Sequence, residues 1–220
     1  EGIARAWEER YGVEISDGLG TTEMLHIFLT NRPGATKYGT TGKAVPGYEI
    51  RLVGEDGEEV PQGEMGEMQC RGPTSAVMYW NNREKSRSTF MGEWTRSGDK
   101  YIQDEDGYYV CCGRGDDMLK VSGIYVSPFE VEAALASHPD VLEAAVVGWF
   151  DEQKLIKPKA FVVLKAPDKA CDAFVQTLQE HVKQKLAPYK YPRWIEFRID
   201  LPKTATGKIQ RFKLRAEGQL

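Results

Sequence analysis

Three short stretches of this chain hold residue types suited to handling phosphates. The most telling is Pro202-Lys203-Thr204-Ala205-Thr206-Gly207-Lys208-Ile209-Gln210-Arg211, near the C-terminus. Lys208 follows a glycine, which has no side chain to block an approaching anion. Its ammonium is therefore a mobile point charge with a clear path to a phosphate oxygen. A Thr-Gly-Lys triplet alone occurs in ordinary turns. It gains weight from two segments that precede it in order, Gly18-Leu19-Gly20-Thr21-Thr22-Glu23 and Gly113-Arg114-Gly115-Asp116-Asp117-Met118-Leu119-Lys120-Val121-Ser122-Gly123.

Each segment admits a chemical reading and a plainer one. Gly18 to Glu23 follow the strand-like Val13-Glu14-Ile15. Glycines there let backbone approach a ligand, the Thr22 hydroxyl can donate to a phosphate oxygen, and the Glu23 carboxylate is a hard ligand suited to Mg²⁺. The plainer reading is a glycine turn whose threonine caps a helix, and the third glycine of a dinucleotide fingerprint is absent. Trp94-Thr95-Arg96-Ser97-Gly98-Asp99 ends in an acceptor-only carboxylate able to take both ribose hydroxyls of a nucleotide, or is an exposed Asp in a glycine turn. Asp116-Asp117 lies in a polar loop able to absorb backbone rotation, or is merely solvated surface. Met24-Leu25-His26-Ile27-Phe28 offers an apolar wall with one polar tip, fit for a flat ring, or is a core segment with a satisfied histidine. Tyr38-Gly39-Thr40-Thr41-Gly42-Lys43 fails as a Walker A loop, because residue 37 is Lys where the first Gly is required.

These segments need a scaffold, and 220 residues suffice for one large or two modest domains. Hydrophobic content of 41% against 28% charged residues describes an ordinary globular chain rather than a disordered one. No apolar run approaches the ~18 residues that span a bilayer, no signal-peptide pattern opens the chain, and the terminal Glu217-Gly218-Gln219-Leu220 is not a peroxisomal address. Cys70, Cys111, Cys112 and Cys171 form neither a C-x-x-C pair nor a disulfide ladder, which points to a reducing cytoplasm, with Cys111 and Cys112 as packing residues of a strand. His26, His138 and His181 have no acidic or cysteine partner at ligand spacing, so no protein-held transition metal is expected. Residues 117–220 carry 16 Lys and Arg against 13 Asp and Glu, whereas residues 1–116 carry 13 against 20. The mildly basic later part suits small polyanions and is too weakly charged for nucleic acid.

From about residue 36 to 112 the sequence reads as short strands broken by Gly and Pro turns, with strands expected at 48–53, 67–71 and 107–112. After Asp116 the texture changes. Ser127-Pro128-Phe129-Glu130 is a capping box with Pro at the first helical position, opening a helix towards Ser137. Residues 141–148 and 159–164 read as buried strands. Phe174, Leu178, Val182 and Leu186 recur every four residues and mark an amphipathic helix stopped by Pro188. A strand at 194–197, the Lys208 loop and a terminal helix complete a small α+β layout.

Taken together, the three segments resemble the adenylate-forming superfamily of AMP-forming acyl- and aryl-CoA ligases, adenylation domains and luciferases. The wording from Thr21-Thr22-Glu23 through Phe28-Leu29 to Asn31-Arg32-Pro33-Gly34 is similar to that of benzoate–CoA ligases. The resemblance runs over nearly the whole chain and implies an α+β fold. Residues 1–115 would be the later part of the large nucleotide- and acyl-binding domain, with a β-rich, distorted barrel-like subdomain from about residue 36. Residues 116–220 would form a mobile lid hinged at Asp116. It implies that Lys208 is catalytic, that Gly20, Thr21, Thr22, Asp99 and Arg114 bind the nucleotide, and that Glu23 holds Mg²⁺. It further implies that Gly123 lines the CoA tunnel and that His26 and Ile27 face the acid. Leu19 stands where many members place an aromatic against adenine. Residues 38–43 look like the family's phosphate loop, but that loop belongs well upstream of the Thr-Thr-Glu segment.

The implied activity is ATP-dependent ligation of an aromatic acid, benzoate first and 2-aminobenzoate next, to CoA, with AMP and pyrophosphate released. The implied partners are these small molecules and the earlier part of the same enzyme, with no membrane and no nucleic acid; a homo-oligomer is compatible. The chain opens at Glu1 inside a helix-like stretch, residues 3–11, so the phosphate loop and most of the acyl pocket are expected upstream, and the isolated chain is expected to be inactive. Two other readings stand beside this one: an adenylating enzyme that charges a carrier protein, and a non-catalytic nucleotide- or CoA-binding module.

Overall fold

The glycine and proline turns of residues 36–112 do cut the chain into short strands in the computed structural model, which describes residues 1–218. Gln219 and Leu220, part of the terminal run considered as an address, lie outside the described residues. The chain divides into two units, Glu1–Gly115 and the part from Asp116 onward. Among the described residues, no helix is long and apolar enough to cross a membrane.

The first unit opens with helix α1 (Gly2–Tyr11), ended by Gly12 at φ +66°, whose N–H reaches Glu8 O at 2.7 Å. Residues 13–15, expected as a strand, are irregular and join no strand among the described residues, although the Glu14 carboxylate accepts the Gly34 N–H at 2.7 Å. The strand is instead β1 (Gly18–Gly20), which lies antiparallel to β2 (Ile27–Thr30), followed by β3 (Lys43–Ala44) on the other edge of β2. The reason lies in the glycines. A Cβ at Gly20 would stand 2.7 Å from His26 O and one at Gly18 2.9 Å from Leu29 O, so only glycines let this segment close on β2. The close approach for which the glycines serve is to protein backbone.

A curled five-stranded sheet follows. It is built from β4 (Glu49–Val53), β5 (Met65–Arg71), then helix α2 (Arg83–Thr89), β6 (Phe90–Met91), β7 (Trp94–Gln103) and β8 (Tyr109–Arg114). Strand β7 pairs β5 on one edge and both β6 and β8 on the other. Residues 94–99, read as a glycine turn, are the start of this ten-residue strand. Gln69 pairs Arg96 and Glu67 pairs Lys100, so Ser97, Gly98 and Asp99 together face Met68. This bulge re-aims the side chains around it. Phe28, Leu29, Met68, Cys70 and Tyr101 fill the core beneath. Of the cysteine pair in β8, Cys112 is buried but Cys111 is exposed, so only the first of these packs.

The second unit begins with a hairpin of β9 (Leu119–Val121) and β10 (Ile124–Val126). Ser127 caps α3 (Pro128–Ala136) by accepting the Glu130 N–H at 3.3 Å, and the Glu130 carboxylate accepts a bond from Lys190 at 2.7 Å. Next come β11 (Val141–Phe150), antiparallel β12 (Ile156–Leu164), the crossover helix α4 (Asp172–Lys185), β13 (Trp194–Arg198) parallel to β12, and α5 (Arg211–Ala216). Ala144 and Val146 of β11 pack with Leu135, Leu178 and Val182 from α3 and α4, whereas Ala145 and Val147 pack with Leu201 and Leu214 on the other face. Both faces are covered, which is why residues 141–148 read as a nearly unbroken apolar run. Each fully buried Leu or Val there stabilises the unit by roughly 1.5–3 kcal/mol.

Residues 38–43 prove structural. The Asn31 side chain donates to Thr40 O at 2.8 Å, Thr41 N–H reaches Tyr109 O at 2.8 Å, and Gly42 sits at φ +89°. A Cβ on Gly42 would meet the Thr30 carbonyl at 2.0 Å, backbone that cannot yield. Gly42→Ala is therefore expected to destabilise the first unit by roughly 3 kcal/mol or more. Urea unfolding followed by tryptophan fluorescence checks this, and a loss below ~1 kcal/mol would contradict it.

Candidate active site

In the first unit, the Thr21 to Met24 stretch folds as a single tight turn. Thr21 Oγ1 accepts the Met24 N–H at 3.3 Å, so the capping role belongs to Thr21, and the neighbouring Thr22 side chain stays exposed. Leu25 closes the turn at φ +66°, ψ −33°, a conformation that costs a branched side chain energy, and this lets His26 N–H reach Met24 O at 2.9 Å. Backbone strain is thus held where the turn presents Thr22 and Glu23.

That turn is braced by a segment the sequence reading did not single out. Ala76 N–H donates to Glu23 O at 2.7 Å, the Thr74 hydroxyl donates to Met24 O at 2.6 Å, and the Tyr79 hydroxyl donates to Glu23 Oε1 at 2.5 Å. No spacing rule ties residue 79 to residue 23. Partial burial works against ionisation of Glu23, but the bonds from Tyr79, its own N–H and Thr21, with Lys85 nearby, outweigh it and hold the carboxyl below its ordinary value. Burial and the adjacent carboxylate push the Tyr79 phenol up, so it remains a donor.

A half-buried, ionised carboxylate fits Mg²⁺, which binds through one or two carboxylates plus water and substrate phosphates. No group of three or more His, Cys, Asp or Glu able to hold a metal occurs among the described residues. Any cation here would thus lean on its substrate.

Of the expected acyl wall, Met24 and Phe28 face the core, leaving Leu25, His26 and Ile27 outward. His26 is held at both ring nitrogens, Nδ1 to Ile27 O at 2.7 Å and Nε2 to the Tyr48 hydroxyl at 2.8 Å, and that hydroxyl also meets Thr74 Oγ1 at 2.8 Å. Ile27 borders a cavity of about 550 Å³ together with Ile15, Gly18, Asn31, Tyr38 and Thr40. Asp99 stands across the ladder from Arg114, with Oδ1 3.6 Å from Nη1. It is shielded rather than exposed, with its side chain 17% accessible. Gly98 at φ +78° makes room for Arg114, since a Cβ there would lie 3.2 Å from its guanidinium.

In the second unit, Asp116 is exposed at the start, and Ser122 and Gly123 form the two-residue turn between β9 and β10 at φ +51° and +85°. That positive φ calls for glycine, and Gly123 sits on a turn rather than within a strand. Lys208 lies on a closed loop: Thr204 N–H bonds Lys208 O at 2.8 Å, Lys208 N–H bonds Thr204 Oγ1 at 3.1 Å, and Lys203 bridges Ile209 below. Lys203 is paired with Glu143 at 2.7 Å and Asp200 at 3.2 Å, and both hold its ammonium above the ordinary value. Lys208 is exposed, and its ammonium has no partner among the described residues.

The family model for AMP-binding enzymes matches residues 1–80, and the model for the AMP-binding enzyme C-terminal domain matches residues 130–208. The benzoate–CoA ligase of Thauera aromatica is 67% identical over 98% of this chain and 41% of its own length. The 4-hydroxybenzoate–CoA/benzoate–CoA ligase of Rhodopseudomonas palustris is 55% identical over 95% of this chain and 39% of its own length. Among solved structures, an anthranilate CoA ligase in complex with anthranoyl-AMP superposes with a TM-score of 0.93 at 55% identity, covering 98% of this chain and 42% of that one. A benzoate CoA ligase from Burkholderia xenovorans LB400 gives 0.90 at 59% identity, over 97% and 43%. The chain thus spans about two fifths of the length of the relatives it matches.

If the Tyr79 hydroxyl keeps Glu23 ionised, Tyr79→Phe moves the Glu23 titration upward. Carboxyl-detected NMR titration reads this directly, and identical midpoints in the two proteins would remove the hydroxyl from the account.

Proposed function

Because the chain belongs to the AMP-binding enzymes, we propose that its protein ligates an aromatic carboxylate, benzoate first, to CoA through an acyl-adenylate. The reaction class rests on one observation above all: Lys208 is a cation with no partner among the described residues, on a loop whose stem is pinned, while the nearby Lys203 is spent on pairing. The aromatic acid rests on the names of the relatives at 67% and 55% identity.

In the first half-reaction a carboxylate oxygen of the acid attacks the α-phosphorus of ATP, the bond from that phosphorus to the bridging oxygen breaks, and pyrophosphate leaves. Lys208 stabilises the charge on the transferring group and orients the carboxylate, a task of positioning and electrostatics. The exposed Thr22 hydroxyl donates to a phosphate oxygen, and Asp99, steadied by Arg114, accepts the ribose hydroxyls. Glu23 would hold Mg²⁺, which would neutralise charge on the triphosphate. In the second half-reaction the lid turns about Asp116 and the Gly123 turn takes its place beside the pantetheine. The CoA sulfur attacks the acyl carbon, the carbon–oxygen bond to the phosphate breaks, and AMP leaves. His26 and Ile27 bound the ring of the acid.

The test uses the protein at the length of its relatives, with ATP, CoA and a panel of benzoate, 2-aminobenzoate and hexanoate. CoA-dependent AMP release led by benzoate is expected. A lead for hexanoate would end the aromatic assignment, and pyrophosphate release that CoA does not accelerate would favour a carrier-protein acceptor. Lys208→Ala is expected to slow adenylate formation on the order of a hundredfold or more. Thioester formation from a preformed acyl-adenylate should be spared, and equal damage to both halves would refute the role given to Lys208.

A further inference from the structure

The second unit contains a buried ionic network that the proposed chemistry does not use. Glu132 of α3 and Arg211, the first residue of α5, are 8% and 9% exposed. The Glu132 carboxylate accepts three bonds, from Arg211 Nε at 3.0 Å, Arg211 Nη2 at 2.6 Å and the Val146 N–H at 2.7 Å. Strand β11 is an edge of its sheet, so Val146 N–H has no neighbouring strand to bond, and Glu132 satisfies it. The third guanidinium nitrogen, Arg211 Nη1, lies 3.7 Å from Asp117 Oδ2, and Asp117 Oδ1 accepts from Arg215 Nη1 at 2.5 Å. Arg211 also lies over the Phe129 ring, 4.4 Å from its centre. Both ends of α5 are thereby fastened, one to α3 and the edge of the sheet, the other to the residue that follows Asp116.

Arg211 is three residues beyond Lys208, a reach of at most about 10 Å of extended chain. The Lys208 side chain has no partner among the described residues, so the loop determines where its charge stands. The upstream end of the loop is held by buried Leu201, by the bond from Gln210 N–H to Pro202 O at 2.8 Å, and by exposed pairs of Lys203 that are worth little in water. The downstream end is held by the buried fork. We propose that Glu132 and Asp117 are positioning residues for Lys208: acting through Arg211, they lock the lysine loop to the first residues of the lid, so that both move as one body. This rests on the reading of Lys208 as the adenylation lysine. A simple stabilising role predicts something different, because apolar side chains of similar volume replace buried ion pairs without loss of stability.

The test has two independent readouts on Arg211→Lys, Asp117→Asn and the double variant Glu132→Met/Arg211→Met. Amide hydrogen exchange of the loop residues Gly207 and Lys208 should accelerate about tenfold or more while the β11–β12 ladder keeps its protection. In the protein at the length of its relatives, adenylate formation should fall about tenfold to a hundredfold, with thioester formation from preformed acyl-adenylate unchanged. The double Met variant removes both charges together and orphans only the Val146 N–H, so it should lose less melting temperature than truncation of either partner alone and still show both effects, which a packing role would not produce. Loop exchange equal to that of the unaltered protein would overturn the proposal, as would parallel loss of both half-reactions. Absence of acid-dependent pyrophosphate exchange in the unaltered protein would instead sink the reading of the function, and loop exchange would still decide the positioning.

Discussion

A carboxylate and a guanidinium that have both left water govern the second unit. Removing either partner of such a pair typically costs about 3–5 kcal/mol, because the other remains as an uncompensated buried charge. Glu132 and Arg211 offset that penalty through two parallel bonds between them, a third to the carboxylate from the Val146 N–H, and the Asp117 carboxylate 3.7 Å from the third nitrogen. The geometry is demanding, and the demand propagates. α3 must lie against the edge of β11, and α5 must begin where the guanidinium can reach. The loop that precedes α5 must then close within the few residues between Lys203 and Ile209.

The first unit is governed by close backbone approach rather than by charge. Gly20 and Gly42 both sit where a single methyl group would collide with main chain, at His26 and at Thr30. These contacts draw β1 and the 38–43 turn onto β2, and β2 carries the strained Leu25 turn at its start. The bracing from Thr74, Ala76 and Tyr79 then fixes Glu23 from the opposite side. Strain at Leu25 persists because both sides over-determine it.

What could be read in the sequence follows from the range of the forces concerned. The cap at Ser127, the α4 stripe of Phe174, Leu178 and Val182, and the buried runs of β11 and β12 are set by neighbours within a few residues, and they were legible. The bulge at Asp99 and the Tyr79–Glu23 bond each depend on a partner tens of residues away, and strand β1 depends on a close approach to the backbone of β2, so no local pattern announces them. Residues 13–15 show the limit from the other side: Val13 and Ile15 alternate around Glu14 as a strand would, yet the backbone pairing begins only at Gly18, where the side chains vanish. The order of the Thr-Thr-Glu, Gly-Arg-Gly-Asp and Thr-Gly-Lys segments was enough to point to the family, because such an ordered set of motifs needs no knowledge of distant packing.

The two lysines of the final loop show how one short segment can separate anchoring from action. Lys203 and Lys208 are five residues apart and of identical chemistry. One sits where Glu143 and Asp200 converge, and the other sits past Gly207, at φ +82°, with no acidic partner among the described residues. An ammonium left unpaired keeps its full hydration and gains nothing for the fold, so stability does not explain its placement. What the arrangement provides is a charge whose own side chain is free to move while its Cα is not. On the proposed reading, a flexible stem on a pinned loop would let the ammonium follow negative charge as it develops on a transferring group. The cost of holding the loop is borne by buried groups at Glu132 and Arg211 that never meet the substrate.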